Sequence, residues 1–99
     1  SFELATDILE RMGECPASII NYHGILTHGI SVREACMRAV YLEKAAYTQH
    51  LAYQSGAAQP LNEQLAKKLG ANAPYDLLYE LSWNYYERRI QAINPEFKL

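Results

Sequence analysis

Apolar residues recur at helical spacing near the start of the chain. Leu4, Ile8 and Met12 lie four positions apart, and Gly13 follows the last of them. This spacing places the three side chains on one face of a helix, and glycine is favoured just after a helix end. The pattern predicts a first helix over residues 2–12.

The next segment is β-branched and interrupted by glycine. Residues 17–22 predict one short strand and residues 25–28 a second, with His23 and Gly24 as the turn between them. A sheet of two short strands is marginal by itself in water. The sequence therefore predicts one part of a larger fold.

Ser31 and Glu34 form a capping box, which predicts the start of a long helix that continues to about Ser55. Small residues dominate its expected inner stripe: Ala35, Ala39, Leu42 and Ala46. Small side chains let the helix backbone lie close to a neighbouring element. Because strands and helices alternate here, that element is expected to be the face of a sheet.

Two more helices are predicted. One runs from Pro60 to Leu69, with proline at its first position and Gly70 as its terminator. The other runs from Pro74 to about Ile93 and carries five large aromatic side chains on more than one face: Tyr75, Tyr79, Trp83, Tyr85 and Tyr86. Aromatic residues at helical spacing most often pack in a core or an interface, and several apolar faces need several neighbours.

Composition narrows the class of protein. The chain has 99 residues, 49% of them hydrophobic, and a net charge of −2, which suits one domain at most. Its basic residues are scattered and it lacks a long apolar run, so neither nucleic acid nor a membrane is an expected partner. Cys15 and Cys36 match no metal or disulfide spacing, and we expect reduced, partly buried thiols in a cytoplasmic protein.

Residues 19–29, with the sequence IINYHGILTHG, are the most informative stretch. They resemble the segment of the class II aldolase/adducin family in which an apolar strand leads to an Asn-His-Gly turn and a second apolar strand ends in glycine. The helix that follows is also similar, with Ala35 in its first turn and a Leu42-Glu43 pair before Ala46. The resemblance covers roughly residues 8 to 55. In the family the asparagine directly precedes the histidine, whereas here Tyr22 lies between them.

The resemblance implies an α/β fold, a partial three-layer αβα domain with two short strands around a His-Gly turn and three to four helices. Residues 1–99 would be a single partial domain, the C-terminal part of a class II aldolase/adducin-like domain. The family's His-x-His pair and catalytic carboxylate, which belong to the upstream half, have no match in this sequence.

The same resemblance implies a divalent-metal-dependent C–C lyase in the complete protein, with zinc the expected metal and His23 matching the third histidine ligand. The metal would stabilise an enolate during aldol cleavage, decarboxylation or epimerisation of a small carbonyl or hydroxy-acid substrate. Family enzymes are often cyclic homotetramers in which a neighbour's tyrosine donates a proton, and Tyr85 and Tyr86 are the candidates here. The 99 residues alone are expected to be inactive. An adducin-like, non-catalytic interaction domain and a catalytically silent fragment are the alternatives.

The other candidate residues have plainer explanations. We expect His23 at a strand end with its ring facing a cleft, although a lone histidine is more often satisfied by a backbone carbonyl. His28 is expected to be a polar residue at a strand end, and His50 lacks a second histidine one helical turn away. Glu43 is either an exposed carboxylate paired with Lys44 or another base, or a buried acid near the site or a subunit contact.

Overall fold

The computed structural model describes residues 1–98, which form a two-stranded antiparallel sheet and four helices. The elements are α1 (Phe2–Met12), β1 (Ala17–Ile20), β2 (Gly24–Thr27), α2 (Val32–Gln54), α3 (Glu63–Asn72) and α4 (Tyr75–Ile93). This confirms the expected mixture of helices with a small sheet. None of these helices is both long enough and apolar enough to span a bilayer.

The described chain divides into two compact units, one over residues 1–46 and the other from Tyr47 onward. The division falls inside α2, so this one helix contributes to both units. A single partial domain stays a prediction, because two compact units can belong to one domain. The three-layer arrangement stays a prediction as well.

Helix α1 has the predicted bounds. The Ser1 hydroxyl accepts a hydrogen bond from the backbone N–H of Leu4 at 3.2 Å, which satisfies one of the free donors at the helix start. At the other end Gly13 takes a φ of 56° and donates its N–H to the carbonyl of Leu9 at 3.0 Å. Met12, the last residue of the helix, is buried.

Strands β1 and β2 form a hairpin whose register pairs Ala17 with Thr27 and Ile20 with Gly24. Strand β1 is two residues shorter than predicted, and β2 begins one residue earlier, because residues 21–23 form the connection. Gly24 is the first residue of β2, so the turn includes the histidine of the predicted His-Gly pair but not the glycine.

A set of polar contacts joins the end of β2 to the start of α2. The N–H of Glu34 donates to the Ser31 hydroxyl at 3.1 Å, as the capping box requires. The Glu34 carboxylate accepts from the N–H of Ile30 at 3.0 Å, one residue earlier than the usual donor, which is the N–H of the N-cap residue. Arg38 pairs with Glu34 and donates to the carbonyl of His28 at 2.7 Å. These contacts hold the residues after β2 against the first turn of α2.

Gly29 is the closest backbone approach at this junction. A Cβ added there would lie 2.8 Å from the backbone nitrogen of Ala35 and 2.9 Å from the Cβ of Glu34. Both atoms are held by the helix itself, so a side chain would force the strand end away from the helix. The Thr27 hydroxyl donates to the carbonyl of Ala35 at 2.8 Å in the same region.

The small core lies in the first unit. Met12 and Met37 are the buried hydrophobic residues among those described, with 5% and 1% of their surface exposed. The predicted inner stripe of α2 is half-buried at Ala35, Ala39 and Leu42, but it does not contain the most buried residue of the helix. Met37 is two residues beyond Ala35, which places it about 200° around the helix, and Ala46 of the expected stripe is exposed. The first unit therefore covers α2 most completely around Met37, and the alanine face is only partly covered.

The second unit consists of the end of α2, α3 and α4. Helix α3 begins at Glu63 because the Asn62 side chain accepts from the N–H of Leu65 at 2.8 Å and acts as N-cap. The predicted start at Pro60 and stop at Gly70 were both wrong, since Gly70 lies inside α3. Helix α4 matches its prediction to within one residue, with Pro74 as its N-cap.

Much apolar surface stays uncovered. The chain exposes 8612 Å², whereas two separate compact bodies of half its mass would together expose about 6,900 Å². Large apolar side chains with more than half of their surface exposed occur in both units, among them Phe2, Ile19, Ile30, Leu61 and Ile93. The excess, about 1,700 Å², is surface that a compact chain would bury.

Candidate functional site: the turn at His23

The connection between β1 and β2 is a tight turn over Asn21, Tyr22 and His23. The N–H of His23 donates to the carbonyl of Ile20 at 3.0 Å, which closes a four-residue β-turn. Tyr22 is at the third position of this turn with a φ of 60°. A positive φ at the third position without one at the second, Asn21, is the mark of a type II turn, where glycine or asparagine is the usual residue at the third position.

Tyr22 is thus held in a strained conformation, and its ring is fully in solvent, with a relative exposure of 109%. A non-glycine residue with left-handed backbone costs on the order of 1 kcal/mol. Nothing in this unit compensates through packing of the ring. Strain of this kind often accompanies functional positions, and here it directly precedes His23.

Replacing Tyr22 with glycine is therefore expected to stabilise the chain by about 0.5–1 kcal/mol, because glycine adopts positive φ without steric cost. Urea unfolding followed by circular dichroism measures the change. Tyr22→Ala is the matched control, since it removes the ring and keeps the Cβ that causes the strain. Equal effects of the two substitutions would contradict the strain argument and point to the ring instead.

His23 lies at the end of the turn, immediately before β2, and is exposed. Its backbone N–H is used by the turn, while its imidazole ring has no hydrogen-bond partner within residues 1–98. Neither ring nitrogen therefore has an internal partner among these residues. The expected strand-end position agrees with this placement, and a cleft around the ring stays a prediction.

The other two histidines are engaged locally. The ring of His28, just after β2, has its Nε2 atom 3.3 Å from the carbonyl oxygen of Cys15. The ring of His50 is exposed on α2, with its Nε2 atom 3.0 Å from the side-chain nitrogen of Gln54. The structure thus places His28 at a strand end, as expected, and His50 at an exposed position on a helix.

The described residues do not assemble a metal site. Across residues 1–98, no group of three or more His, Cys, Asp and Glu side chains is arranged to hold a metal ion. A catalytic zinc site generally takes three protein ligands. The donor set of this chain therefore does not fit a complete metal site, and His23 offers at most one ligand to a site completed by other residues.

Tyr85 and Tyr86 have different surroundings on α4. Their rings meet edge to face with centroids 5.3 Å apart. Tyr85 is 52% exposed, whereas Tyr86 is half-buried. Neighbouring helical residues point about 100° apart, so the two hydroxyls do not share one direction. Their catalytic role stays a prediction, since they belong to the second unit and His23 to the first.

Two further expectations concern exposure. Glu43 is exposed on α2, which agrees with the first of the two expected roles, an exposed carboxylate. A role for Glu43 in a larger domain stays a prediction. Cys15 and Cys36 are free and both exposed, which corrects the expectation of partly buried thiols. Cys15 lies in the turn after α1, and Cys36 points about 100° away from the buried Met37.

A shallow pocket of about 350 Å³ lies in the second unit, between the end of α2 and the start of α3. Its walls are mostly alanine, proline and leucine with Tyr53, and its polar groups are the side chains of Gln49 and Gln59. It contains no titratable group apart from the tyrosine, so it offers no acid, base or metal ligand.

Reasoning from the sequence missed two residues of this region. Arg38 donates a hydrogen bond to the carbonyl of His28. The spacing of Glu34 and Arg38, one helical turn apart, could have indicated their ion pair from the sequence. The constraint on Gly29 had no such signal, because it depends on how closely β2 approaches α2.

Comparison with known proteins agrees with the resemblance of this segment. The family model described as class II aldolase and adducin N-terminal domain matches residues 1–50, which is half of the chain. No curated protein and no solved structure matches the chain significantly. The matched region contains α1, the hairpin, the turn at His23 and most of α2, and it ends close to the boundary between the two units.

Proposed function

The chain belongs to the class II aldolase and adducin family, and we propose that it is the C-terminal part of a divalent-metal-dependent C–C lyase domain. The observation that supports this most is the placement of His23. It lies inside the matched region, directly before β2, with an exposed ring that has no internal partner in the described chain. A ring with this freedom suits a metal ligand better than a core residue.

In the complete domain His23 would supply one imidazole ligand, and the upstream half would supply the others. When bound, a divalent metal, expected to be zinc, provides a Lewis acid for substrate oxygens. The proposed substrates are small carbonyl compounds or hydroxy acids. Aldol cleavage, decarboxylation and epimerisation share the enolate step, so each is compatible with this residue.

The contribution of this chain beyond His23 is positional. Strand β2 is held at both ends. The hydrogen bond from His23 to Ile20 holds its start, and the contacts of Arg38 hold its end. Gly24 has a φ of 152° and no atom within 4 Å of an added Cβ. Open space beside the histidine is what a substrate would need. Tyr85 or Tyr86 of a neighbouring subunit in a homo-oligomer, a tetramer by family resemblance, is the proposed proton donor.

The test uses the full-length protein that contains these residues. Elemental analysis is expected to find about one divalent metal per chain, and chelation should remove both the metal and the cleavage of small hydroxy-carbonyl substrates. A folded protein with neither metal nor turnover, after reconstitution with zinc, would contradict the lyase and favour the adducin-like interaction domain. The 99-residue chain alone is expected to hold no metal stoichiometrically, because the described residues offer no three-ligand group. A metal retained by that chain and lost on His23→Ala would contradict this.

A further inference from the structure

Tyr22 is the one residue other than glycine with a positive φ in the part of the chain that the structure describes. Asn21, a residue type that tolerates positive φ, lies one position earlier in the same turn, where a positive φ is not needed. The sequence thus places tyrosine, and not asparagine or glycine, at the costly position. Backbone strain of this kind is a reason to look for a role of the side chain.

Neither the ring nor the hydroxyl of Tyr22 has a contact that offsets this strain. The relative exposure of 109% is the highest among the exposed large apolar side chains of residues 1–98. The hydroxyl has no hydrogen-bond partner among the same residues. A contact that stabilises this side chain therefore has to come from a molecule or a segment outside the described residues.

The position of Tyr22 beside His23 favours a bound substrate as that contact. The Cα atoms of consecutive residues are about 3.8 Å apart, so the phenol can reach a small molecule that the His23 ring approaches. In an extended strand neighbouring side chains point to opposite faces, but the positive φ of Tyr22 interrupts that alternation. On the other flank of His23, an added Cβ at Gly24 would have no atom within 4 Å. The histidine thus has open space on one side and an uncovered phenol on the other.

We propose that Tyr22 is a specificity-determining residue whose hydroxyl forms a hydrogen bond with a hydroxyl group of the substrate. This inference rests on the proposed function, because it takes His23 as part of the site. Apart from the histidine, the turn residues 21–24 have no ionisable group that is charged at neutral pH. A tyrosine hydroxyl both donates and accepts, and an alcohol group does the same. Tyr22 therefore selects small acids or carbonyl compounds with a further hydroxyl beyond the one beside the carbonyl group.

The test measures binding to the full-length protein after reconstitution with zinc. Glycerate and lactate are the probes, because they share a carboxylate and the neighbouring hydroxyl, and glycerate has one further hydroxyl. Tyr22→Phe removes only the phenol oxygen and keeps the ring and the Cβ. By calorimetry this variant should bind glycerate about threefold to tenfold more weakly and lactate within about twofold of the unaltered protein. Its zinc content should not change.

Tyr22→Gly separates substrate binding from packing. It should weaken glycerate binding at least as much as Tyr22→Phe, and it should raise the melting temperature of the full-length protein because the strain is removed. If the ring instead packed against the upstream half, Tyr22→Gly would lower the melting temperature. Tyr47→Phe is the matched control, since Tyr47 is 65% exposed and lies on α2, and it should leave both affinities within about twofold.

Three results would overturn the inference while the proposed function stands: equal glycerate affinity of the unaltered protein and Tyr22→Phe, a lowered melting temperature of Tyr22→Gly, or a zinc-loaded protein that binds neither probe. A full-length protein that retains no zinc after reconstitution would overturn the proposed function and this inference with it. Elemental analysis before the binding measurement distinguishes the two cases.

Discussion

Replacing His23 with alanine in the full-length protein is expected to remove bound metal and to lower kcat/KM on the order of a thousandfold or more. Loss of a residue that only orients a metal ligand already costs 10–100-fold in typical metalloenzymes, and loss of the ligand itself costs more. Metal content by elemental analysis and the rate of substrate cleavage are the two measurements. They should fall together.

The stability of the 99-residue chain without metal is not expected to change with this substitution. The His23 ring is exposed and has no partner among residues 1–98, and surface changes of this kind usually stay within about 0.5 kcal/mol. His50→Ala is the matched control, because its ring is also exposed and its hydrogen bond is to Gln54, four residues along the same helix. Full metal retention and full rate in His23→Ala would refute the ligand assignment. An unchanged rate in an equally folded protein without metal would refute the lyase as well.

The second large effect is expected at Met37. This residue is 1% exposed and is the most buried side chain among those described. Methionine-to-alanine changes in a core typically cost about 2–5 kcal/mol, and a unit of fewer than 50 residues has only a few kcal/mol of stability. Met37→Ala should therefore lower the melting temperature by at least about 10 °C, or abolish a cooperative transition altogether.

Circular dichroism during heating measures this effect. Met37→Leu nearly conserves side-chain volume and should cost less than about 1.5 kcal/mol. Val32→Ala, at an exposed position on the same helix, should change stability by no more than about 0.5 kcal/mol. If Met37→Ala melts like the unaltered chain, then the first unit does not depend on the core around Met37.

Elements with local signals were predictable from the sequence. Helix α1 follows from a repeated four-residue spacing, and the start of α2 follows from Ser31 and Glu34, because capping acts within one turn. Helix α3 shows the limit of such signals. Pro60 and Asn62 both suit a helix start, and the side-chain bond from Asn62 to Leu65 decides between them. Gly70 resembled a stop signal, but the helix continues to Asn72.

Features that depend on tertiary structure were not predictable in the same way. Periodicity identified an alanine stripe on α2, yet which face is covered depends on where the other elements of the unit lie, and Met37 is on the other side. At the site, the turn position of His23 was nearly located, while the positive φ of Tyr22 had no signal because tyrosine is rare in that conformation. The resemblance identified His23 as the ligand candidate, but a ligand set that other residues would complete cannot be read from 99 residues.

The two-stranded hairpin has a consequence for how the chain exchanges hydrogen with water. Each of its strands has one paired edge and one edge without a strand partner in residues 1–98. On the unpaired edges the backbone N–H groups face outward and should exchange within seconds to minutes in deuterated solvent, while those between β1 and β2 exchange more slowly. Any strand that adds to either edge would slow the exchange of that edge alone. Mass-resolved exchange over residues 17–27 would therefore report which side of the hairpin is covered when the rest of its domain is present.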